Sequence, residues 1–200
     1  MATVRKERLK SELREEILSA ARDLFVHEGY ESVSMRKIAD KVGCAAGTIY
    51  LHFQDKDAIL GAICVETFSK LNVRMEAIAN DKGDPLERLR RGGRLYVQFA
   101  LDHPYHYQVT FGISACAEHR DDYALQAGGR SFDCLRRNVG ACVEAGLLRS
   151  NDVEEVAQSL WCALHGMVML LITKCNFPFI EQSRLIDSVL DICIEGIRKK

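Results

Sequence analysis

Long apolar runs and secretion signals are absent from this sequence. The longest strongly apolar run, "MVMLLI" at Met167–Ile172, is too short to cross a bilayer. The first residues, "MATVRKERLKSELREE", alternate in charge and lack the apolar core of a signal peptide. Proline is scarce, with three residues in the chain, and strand-like alternation of apolar and polar residues is hard to find. We therefore expect a cytoplasmic and largely helical protein.

A net charge of either sign is missing as well. The 27 Lys and Arg residues nearly balance the 28 Asp and Glu residues, which leaves a net charge of −1. Any surface that binds nucleic acid must therefore be local. The hydrophobic share of 48% is that of an ordinary globular chain rather than a disordered one.

Signatures of chemically active sites are also missing. The sequence has no nucleophile elbow, phosphate-binding loop or HExxH motif, so we do not expect an enzyme. The eight cysteines form no CxxC pair and are expected to be reduced, buried thiols. Less favoured alternatives are redox sensing by Cys44 and a metal site of His103, His106, Cys116 and His119, whose spacing fits no compact site. We predict no bound metal and no cofactor.

Helical spacing runs through the whole chain. Apolar residues over 13–25 recur at i, i+4, i+7, i+8, i+11 and i+12, which predicts a first helix that Gly29 ends in a left-handed cap. Gly43 is expected to end the second helix. N-caps are predicted for the second, fourth and fifth helices at Ser34, Asp55 and Asp84.

The later helices follow the same pattern. The fifth is predicted from Pro85 to about 102, and close approach to another helix would explain the tolerance of Gly92 and Gly93 inside it. The last four are predicted from Pro104 to about 112, from about 121 to 145, from Val153 to about 174, and after Pro178. The predicted fold class is all-α.

The segment "SMRKIADKVGCAAGTIYLHF" has the form of a helix-turn-helix unit, which lays its second helix in the DNA major groove. Small side chains at the start of that helix allow the backbone to approach DNA, and a small apolar group can touch a thymine methyl. Ile49 and Phe53 are expected to anchor the helix in the core. The residues predicted to contact DNA are Ser34, Arg36, Ala45, Ala46, Gly47, Thr48, Tyr50, His52 and Lys56.

Local positive charge accompanies this unit. Lys56 stands at the start of the fourth helix, where its ammonium and the unpaired N–H groups together make a phosphate site. Tyr50 and His52 can offer an O–H and an N–H to phosphates. A basic excess near the N-terminus could track a phosphate backbone or a minor groove, and it consists of Arg5, Lys6, Arg8, Lys10 and Arg14.

Aromatic residues in the second part of the chain suggest a ligand pocket. Trp161 and His165 are four residues apart on one helix and can stack. The alternative is that Trp161 belongs to the core and His165 is a buried histidine with satisfied hydrogen bonds, because pockets and cores use the same residue types. The predicted effector pocket consists of Phe68, Tyr96, Phe99, Tyr107, Phe111, Trp161 and His165.

The last two helices carry more apolar surface than one face can hold. A helix that is apolar nearly all round must be buried on more than one side, which favours a two-fold four-helix bundle between subunits. The alternative is that this pair closes the core of the monomer. The predicted dimer interface consists of Val156, Leu160, Leu164, Met167, Leu171, Ile186, Val189, Leu190, Cys193 and Ile197.

The stretch "ILSAARDLFVHEGYESVSMRKIADKVGCAAGTIYLHFQDKDAIL" resembles the N-terminal DNA-binding domain of the TetR/AcrR family of bacterial transcription regulators. The resemblance implies an all-helical homodimer with a three-helix DNA-binding domain, residues 1–54, and a six-helix ligand-binding and dimerisation domain, residues 55–200. It also implies that the dimer represses a palindromic operator and that a small-molecule effector releases it. The segment "SLWCALHGMV" is similar to a subfamily marked by Trp161, His165 and Gly166.

Two positions depart from the family pattern. Ala45 replaces the Ser or Thr that caps the recognition helix in many members, and Ala46 replaces a polar or basic residue. Phosphate contacts from both positions are therefore not expected. A second hypothesis is a helical small-molecule-binding protein with a vestigial DNA-binding domain, but such a domain should have lost Tyr50, Lys56 and the Gly47-Thr48 pair.

Overall fold

The computed structural model describes residues 2–113, 122–174 and 176–199, with side chains from residue 7 onward except over 113–125. Cys116, His119 and Cys175 lie outside the described residues. The described residues form nine α-helices and no strand, which confirms the all-α prediction. The helices are α1 Ala2–Glu28, α2 Met35–Val42, α3 Ala46–Tyr50, α4 Lys56–Ala79, α5 Pro85–Asp102, α6 Pro104–Tyr107, α7 Asp122–Glu144, α8 Val153–Thr173 and α9 Gln182–Ile197.

Side chains cap the helices where the sequence predicts. The Ser34 hydroxyl accepts a hydrogen bond from the Lys37 amide at 3.2 Å, and the Asp55 carboxylate accepts one from the Ala58 amide at 2.7 Å. The Asp84 carboxylate caps α5 in the same way, at 2.8 Å from the amide of Glu87. These caps satisfy amides that have no partner inside the helix and so fix where each helix begins.

Gly29 differs from its predicted conformation. Its φ of 82° is positive, but its ψ of 144° is extended rather than left-handed helical. The chain therefore leaves α1 in an extended direction and enters a 3₁₀ turn at Tyr30–Ser32. Gly43, with φ 78° and ψ 32°, does adopt the left-handed cap conformation.

The chain divides into two compact units, Met1–Thr67 with Tyr105–Gln126, and Phe68–Pro104 with Ala127–Lys200. The first unit is larger than the predicted 1–54 domain, because Ile59, Leu60 and Ile63 of α4 share one core with α1–α3. Val109, in a π-helical turn over Gln108–Ile113, joins the same core. The predicted boundary at 54/55 therefore separates residues that pack together.

In the second unit, α5 packs against α8 and α9. A Cβ atom on Gly93 would lie 2.8 Å from Leu190 Cδ2 and 3.1 Å from Leu164 Cδ1, so this glycine permits the close approach of the helices. Ion pairs Arg90–Asp191 and Arg94–Asp187 join α5 to α9 at the surface.

Burial within one subunit separates the members of the predicted dimer interface. Six of its ten side chains are buried within the single subunit, because they pack against α5 and between α8 and α9: Val156, Leu160, Leu164, Met167, Ile186 and Leu190. For these residues the alternative, closure of the monomer core, is the one observed. The exposed faces of the two helices carry instead Ser159, Cys162, Ala163, Gly166, Leu170, Ser188, Ile192, Glu195 and Gly196.

Helix α8 is unusually apolar, and one of its sides packs inside the subunit. Among the helices of the described residues, it is the one long and apolar enough to span a membrane by length and composition. That is a weak indication, since a core helix of a soluble protein meets the same criteria, and one side of α8 is packed inside the subunit.

Candidate nucleic-acid interface and effector site

The helix-turn-helix unit is built by short-range hydrogen bonds. The amides of Gly43 and Cys44 both donate to the Ala39 carbonyl, at 2.9 and 3.0 Å, and close α2. Ala45 occupies the N-cap of α3 with no side-chain hydrogen bond, in line with the departure seen in the sequence. Ile49, which is fully buried, and Phe53 hold the inner face of α3 in the core of the first unit.

The outer face of α3 presents small residues first and large residues last. Ala45 and Gly47 are exposed, and a Cβ atom on Gly47 would meet no atom within 4 Å. Tyr50 is 56% exposed and Leu51 is 78% exposed. Leu51 was not among the residues predicted from the sequence. Its spacing of four residues from Gly47 and two from Ile49 was the available signal, because it places Leu51 opposite the buried side of the helix.

Lys56 is fixed at the start of α4 rather than free in solution. Its Nζ donates to the Tyr30 carbonyl at 2.7 Å and lies 4.0 Å from the centroid of the Tyr30 ring. The Tyr30 hydroxyl in turn donates to Asp57, and burial together with this hydrogen bond raises the pKa of Tyr30. An ammonium has three N–H donors, so Lys56 retains donors for an anion at the helix N-terminus.

The other predicted cations are only partly available. Arg36 is exposed on α2, whereas Lys37 pairs with Glu28 and Lys41 pairs with Asp23 at 2.5 Å. Residues 2–12 are helical, so the described backbone of the predicted basic segment continues α1 rather than forming an extended arm. Within this segment Arg8 pairs with Glu12 at 3.0 Å, which reduces its local basic excess.

His52 is held as a neutral donor. Burial lowers its pKa, and the nearby charges of Lys10 and Arg14 lower it further. Its Nδ1 is buried and has no hydrogen-bond partner within the described chain. A buried N–H without an acceptor is rarer than a buried lone pair without a donor. We therefore assign the proton to Nε2 and leave Nδ1 unprotonated. The imidazole therefore offers one N–H.

Three predicted pocket residues form one cluster in the second unit. The indole Nε1–H of Trp161 donates to the Tyr96 hydroxyl at 3.1 Å, and that hydroxyl lies 3.5 Å from His165 Nδ1. The rings of Trp161 and His165 are 5.7 Å apart, and Phe132, which the sequence did not indicate, contacts Trp161 edge-on at 5.8 Å. Burial lowers the pKa of His165 and favours its neutral form.

The other predicted pocket residues have different neighbours. Phe68 lies over Gly128 of α7, where an added Cβ atom would be 3.1 Å from the Phe68 ring. Phe99 packs on His103 with 4.9 Å between ring centroids. Tyr107 and Phe111 belong to the first compact unit and pack on each other at 4.5 Å.

The histidine and cysteine side chains are those for which metal binding and thiol reactivity were the alternative hypotheses. His106 Nε2 lies 2.5 Å from Arg22 Nη1 and 3.6 Å from Glu66 Oε1, in a cluster that joins α1, α4 and α6. The part of the chain that the structure describes contains no group of three or more His, Cys, Asp or Glu residues able to hold a metal ion. Burial raises the pKa of Cys134, of Cys193 and of Cys142, the last to about 11, which disfavours the reactive thiolates.

Two family models match this chain. Residues 17–63 match a family model described as bacterial regulatory proteins, tetR family, and residues 89–193 match a tetracyclin repressor-like C-terminal domain. The Trp-His-Gly subtype stays a prediction.

Two curated relatives differ in how much they cover. The HTH-type transcriptional repressor AcnR of Corynebacterium glutamicum is 25% identical over 194 residues, which cover 94% of this chain and 93% of that protein. An uncharacterized HTH-type transcriptional regulator of Haemophilus influenzae is 33% identical over 95 residues. That match covers 48% of this chain and spans about half, 51%, of the relative.

A solved structure shows the same fold. The transcriptional regulator FadR of Bacillus subtilis, in complex with stearoyl-CoA, superposes with a TM-score of 0.77 at 21% identity. The superposition covers 92% of this chain and 98% of that one. At this identity the likeness concerns the fold alone.

Proposed function

This chain belongs to the TetR family of bacterial regulatory proteins, and from that premise we propose that it is a cytoplasmic, homodimeric transcriptional repressor. It binds a palindromic operator and is released by a small-molecule effector. The observation that carries the proposal is the outer face of α3, which is solvent-exposed beside the fixed ammonium of Lys56. The residues predicted from the sequence to contact DNA are retained in this proposal. A vestigial domain is not favoured, because the sequence retains Gly47, Tyr50 and Lys56.

In this proposal α3 lies in the major groove and its flanks hold phosphates. Ser34 and Lys56 stand at the N-termini of α2 and α4, where backbone amides favour an anion. The exposed Tyr50 side chain presents its hydroxyl to a phosphate, and the neutral His52 offers one N–H. These contacts position the protein on the duplex, whereas base edges near Gly47 and Thr48 supply sequence preference.

The proposed dimer uses the exposed faces of α8 and α9. Small side chains at Cys162, Ala163 and Gly166 let a second helix approach closely, and Leu170 and Ile192 add apolar area. Leu171, Val189, Cys193 and Ile197 from the predicted interface are half-buried and border these faces. A two-fold dimer of such subunits matches a palindromic operator.

The proposed effector site is centred on Tyr96, Trp161 and His165. The cluster combines aromatic surface with a few fixed polar atoms, which is the composition of a small-molecule pocket. Of the other predicted lining residues, Phe68 and Phe99 belong to the same compact unit as this cluster. Because the similar Bacillus subtilis regulator was solved with stearoyl-CoA, a long-chain acyl-CoA is the first effector to test.

Selection of bound sites from random duplex DNA tests the proposal. A dimeric repressor enriches a palindrome with half-sites about one helical turn or more apart, and its affinity falls steeply with salt. Addition of stearoyl-CoA then lowers the affinity for that palindrome if acyl-CoA is the effector. Failure to enrich any sequence, with only weak salt-sensitive binding, contradicts the proposal. The alternative of a ligand-binding protein without a DNA target would then stand.

A further inference from the structure

Leu51 is a highly exposed apolar residue at the end of the proposed DNA-reading helix. It follows α3 directly and keeps helical geometry, with φ −72° and ψ −16°, and its amide donates to the Thr48 carbonyl at 3.2 Å. At about 100° per residue, Leu51 lies nearly opposite Ile49, whose side chain is fully buried, and on the same side as Gly47.

The side chain of Leu51 is highly exposed to solvent. At 78% it is the most exposed large apolar side chain among the described residues, although single exposed apolar residues are common in proteins. What sets it apart is its position, since Gly47 one turn earlier leaves open space beside it and the exposed Tyr50 ring is its neighbour. Leu51 therefore lies on the exposed face of α3, the face that in the proposed complex enters the major groove.

The chemistry of this face limits what it can read. Of the outward side chains, Ala45, Gly47 and Leu51 have no hydrogen-bonding group, and only Thr48 and Tyr50 carry hydroxyls. Most of the donor and acceptor code of the major groove is therefore out of reach. The one base feature that an apolar side chain recognises there is the C5 methyl group of thymine.

Charge around the helix favours DNA over an apolar partner. Lys56 is fixed at the start of α4, and Lys10 and Arg14 are close enough to His52 to lower its pKa. The Arg14 guanidinium lies 4.9 Å from the Phe53 ring on the flank of the same unit. An apolar tip bordered by cations is suited to a groove whose floor carries methyl groups and whose walls are phosphates.

We propose that Leu51 reads a thymine methyl group and so specifies an A·T pair in each half of the operator. This inference depends on the proposed DNA-binding function and names the base that the function selects. Leu51 supplies the apolar contact, while Tyr50 and Lys56 hold the phosphates that fix its register.

The experiment removes the methyl group and the side chain separately. The palindrome selected by the wild-type protein is resynthesised with deoxyuridine replacing each thymidine of the half-site in turn, which deletes only the methyl group. Affinities are measured for wild type, Leu51→Ala and Val73→Ala. Val73 is a matched control because it is 74% exposed but belongs to α4 and not to the helix-turn-helix unit. Circular dichroism checks that the variants keep their helical content.

We expect one position in the half-site at which deoxyuridine lowers the affinity of the wild type and of Val73→Ala about three- to fivefold, the value of one buried methyl group. Leu51→Ala should bind the two duplexes equally. The inference is overturned if no thymine methyl matters, if the selected half-site has no A·T pair, or if Leu51→Ala keeps the full methyl effect. Those results leave the repressor proposal intact, whereas failure to enrich any sequence overturns both.

Discussion

The Nδ1 atom of His165 lies 3.5 Å from the hydroxyl oxygen of Tyr96, which also accepts a hydrogen bond from Trp161. Two helices, α5 and α8, are thereby joined through one phenol. Because burial lowers the pKa of His165, the neutral imidazole is the form that this contact accommodates.

Acidification should therefore destabilise the protein through His165. The unfolded chain binds a proton at the ordinary histidine pKa, whereas the folded chain binds it only at a lower pH. Between those two values the unfolded state holds more protons, so the free energy of unfolding falls as the pH falls. Urea unfolding at intervals from pH 7 to about 5 should show a smaller loss for His165→Gln than for wild type. His27→Gln, at an exposed histidine, serves as control, and a pH dependence equal to wild type in His165→Gln would contradict the assignment.

Substitution by alanine should change the free energy of unfolding differently at the two adjacent glycines of α5, Gly92 and Gly93. In Gly93→Ala the new methyl group would lie 2.8 Å from Leu190 Cδ2, and we expect a loss of about 1–3 kcal/mol in the free energy of unfolding. In Gly92→Ala the nearest atoms are 3.9 Å away, so better helix propensity should leave stability unchanged or raise it by about 1 kcal/mol. Denaturant unfolding at one protein concentration measures both. Equal effects at the two sites would show that α5 does not approach α8 and α9 this closely.

Removal of the Lys56 ammonium should weaken binding to every DNA sequence alike. Lys56→Gln keeps much of the side-chain length but loses one phosphate contact, so the slope of log affinity against log salt should become shallower by about 0.9. Lys82→Gln, an exposed lysine in the turn before α5, should leave affinity and slope unchanged. Fluorescence anisotropy with the selected palindrome and a scrambled duplex measures both quantities. A loss confined to the palindrome would mean that Lys56 contacts bases rather than phosphate.

A charge on the exposed face of α8 should prevent dimer formation. In Ala163→Glu a carboxylate would face its counterpart across the proposed two-fold axis without a partner, which costs several kcal/mol of association free energy. Sedimentation equilibrium should show a dimer for wild type and a monomer for this variant. Ser69→Glu places the same charge on an exposed position of α4 and should remain dimeric. A dimeric Ala163→Glu would move the subunit interface elsewhere on the protein.

Some features of this protein depend on residues close by in the chain, and others depend on residues far away in the chain. Ser34, Asp55 and Asp84 could be assigned from the sequence, because a cap depends on amides within three residues of itself. Six of the ten residues predicted for the dimer interface are buried within one subunit, because apolar spacing identifies which face of a helix is buried but not what covers it. For Leu51 the spacing from Ile49 indicates the outward side of the helix, but only the tertiary structure shows that no other element covers that side.

The sequence by itself determined the helices, their caps and the helix-turn-helix unit, since these follow from periodicity and hydrogen bonds between near neighbours. Tertiary structure alone decided the rest. It turned Leu160 and Leu190 into the core of one subunit, fixed Lys56 on Tyr30, and joined Tyr96 to Trp161 and His165. Such contacts link residues far apart in the chain, and they depend on which surfaces remain to be covered once every helix has been placed.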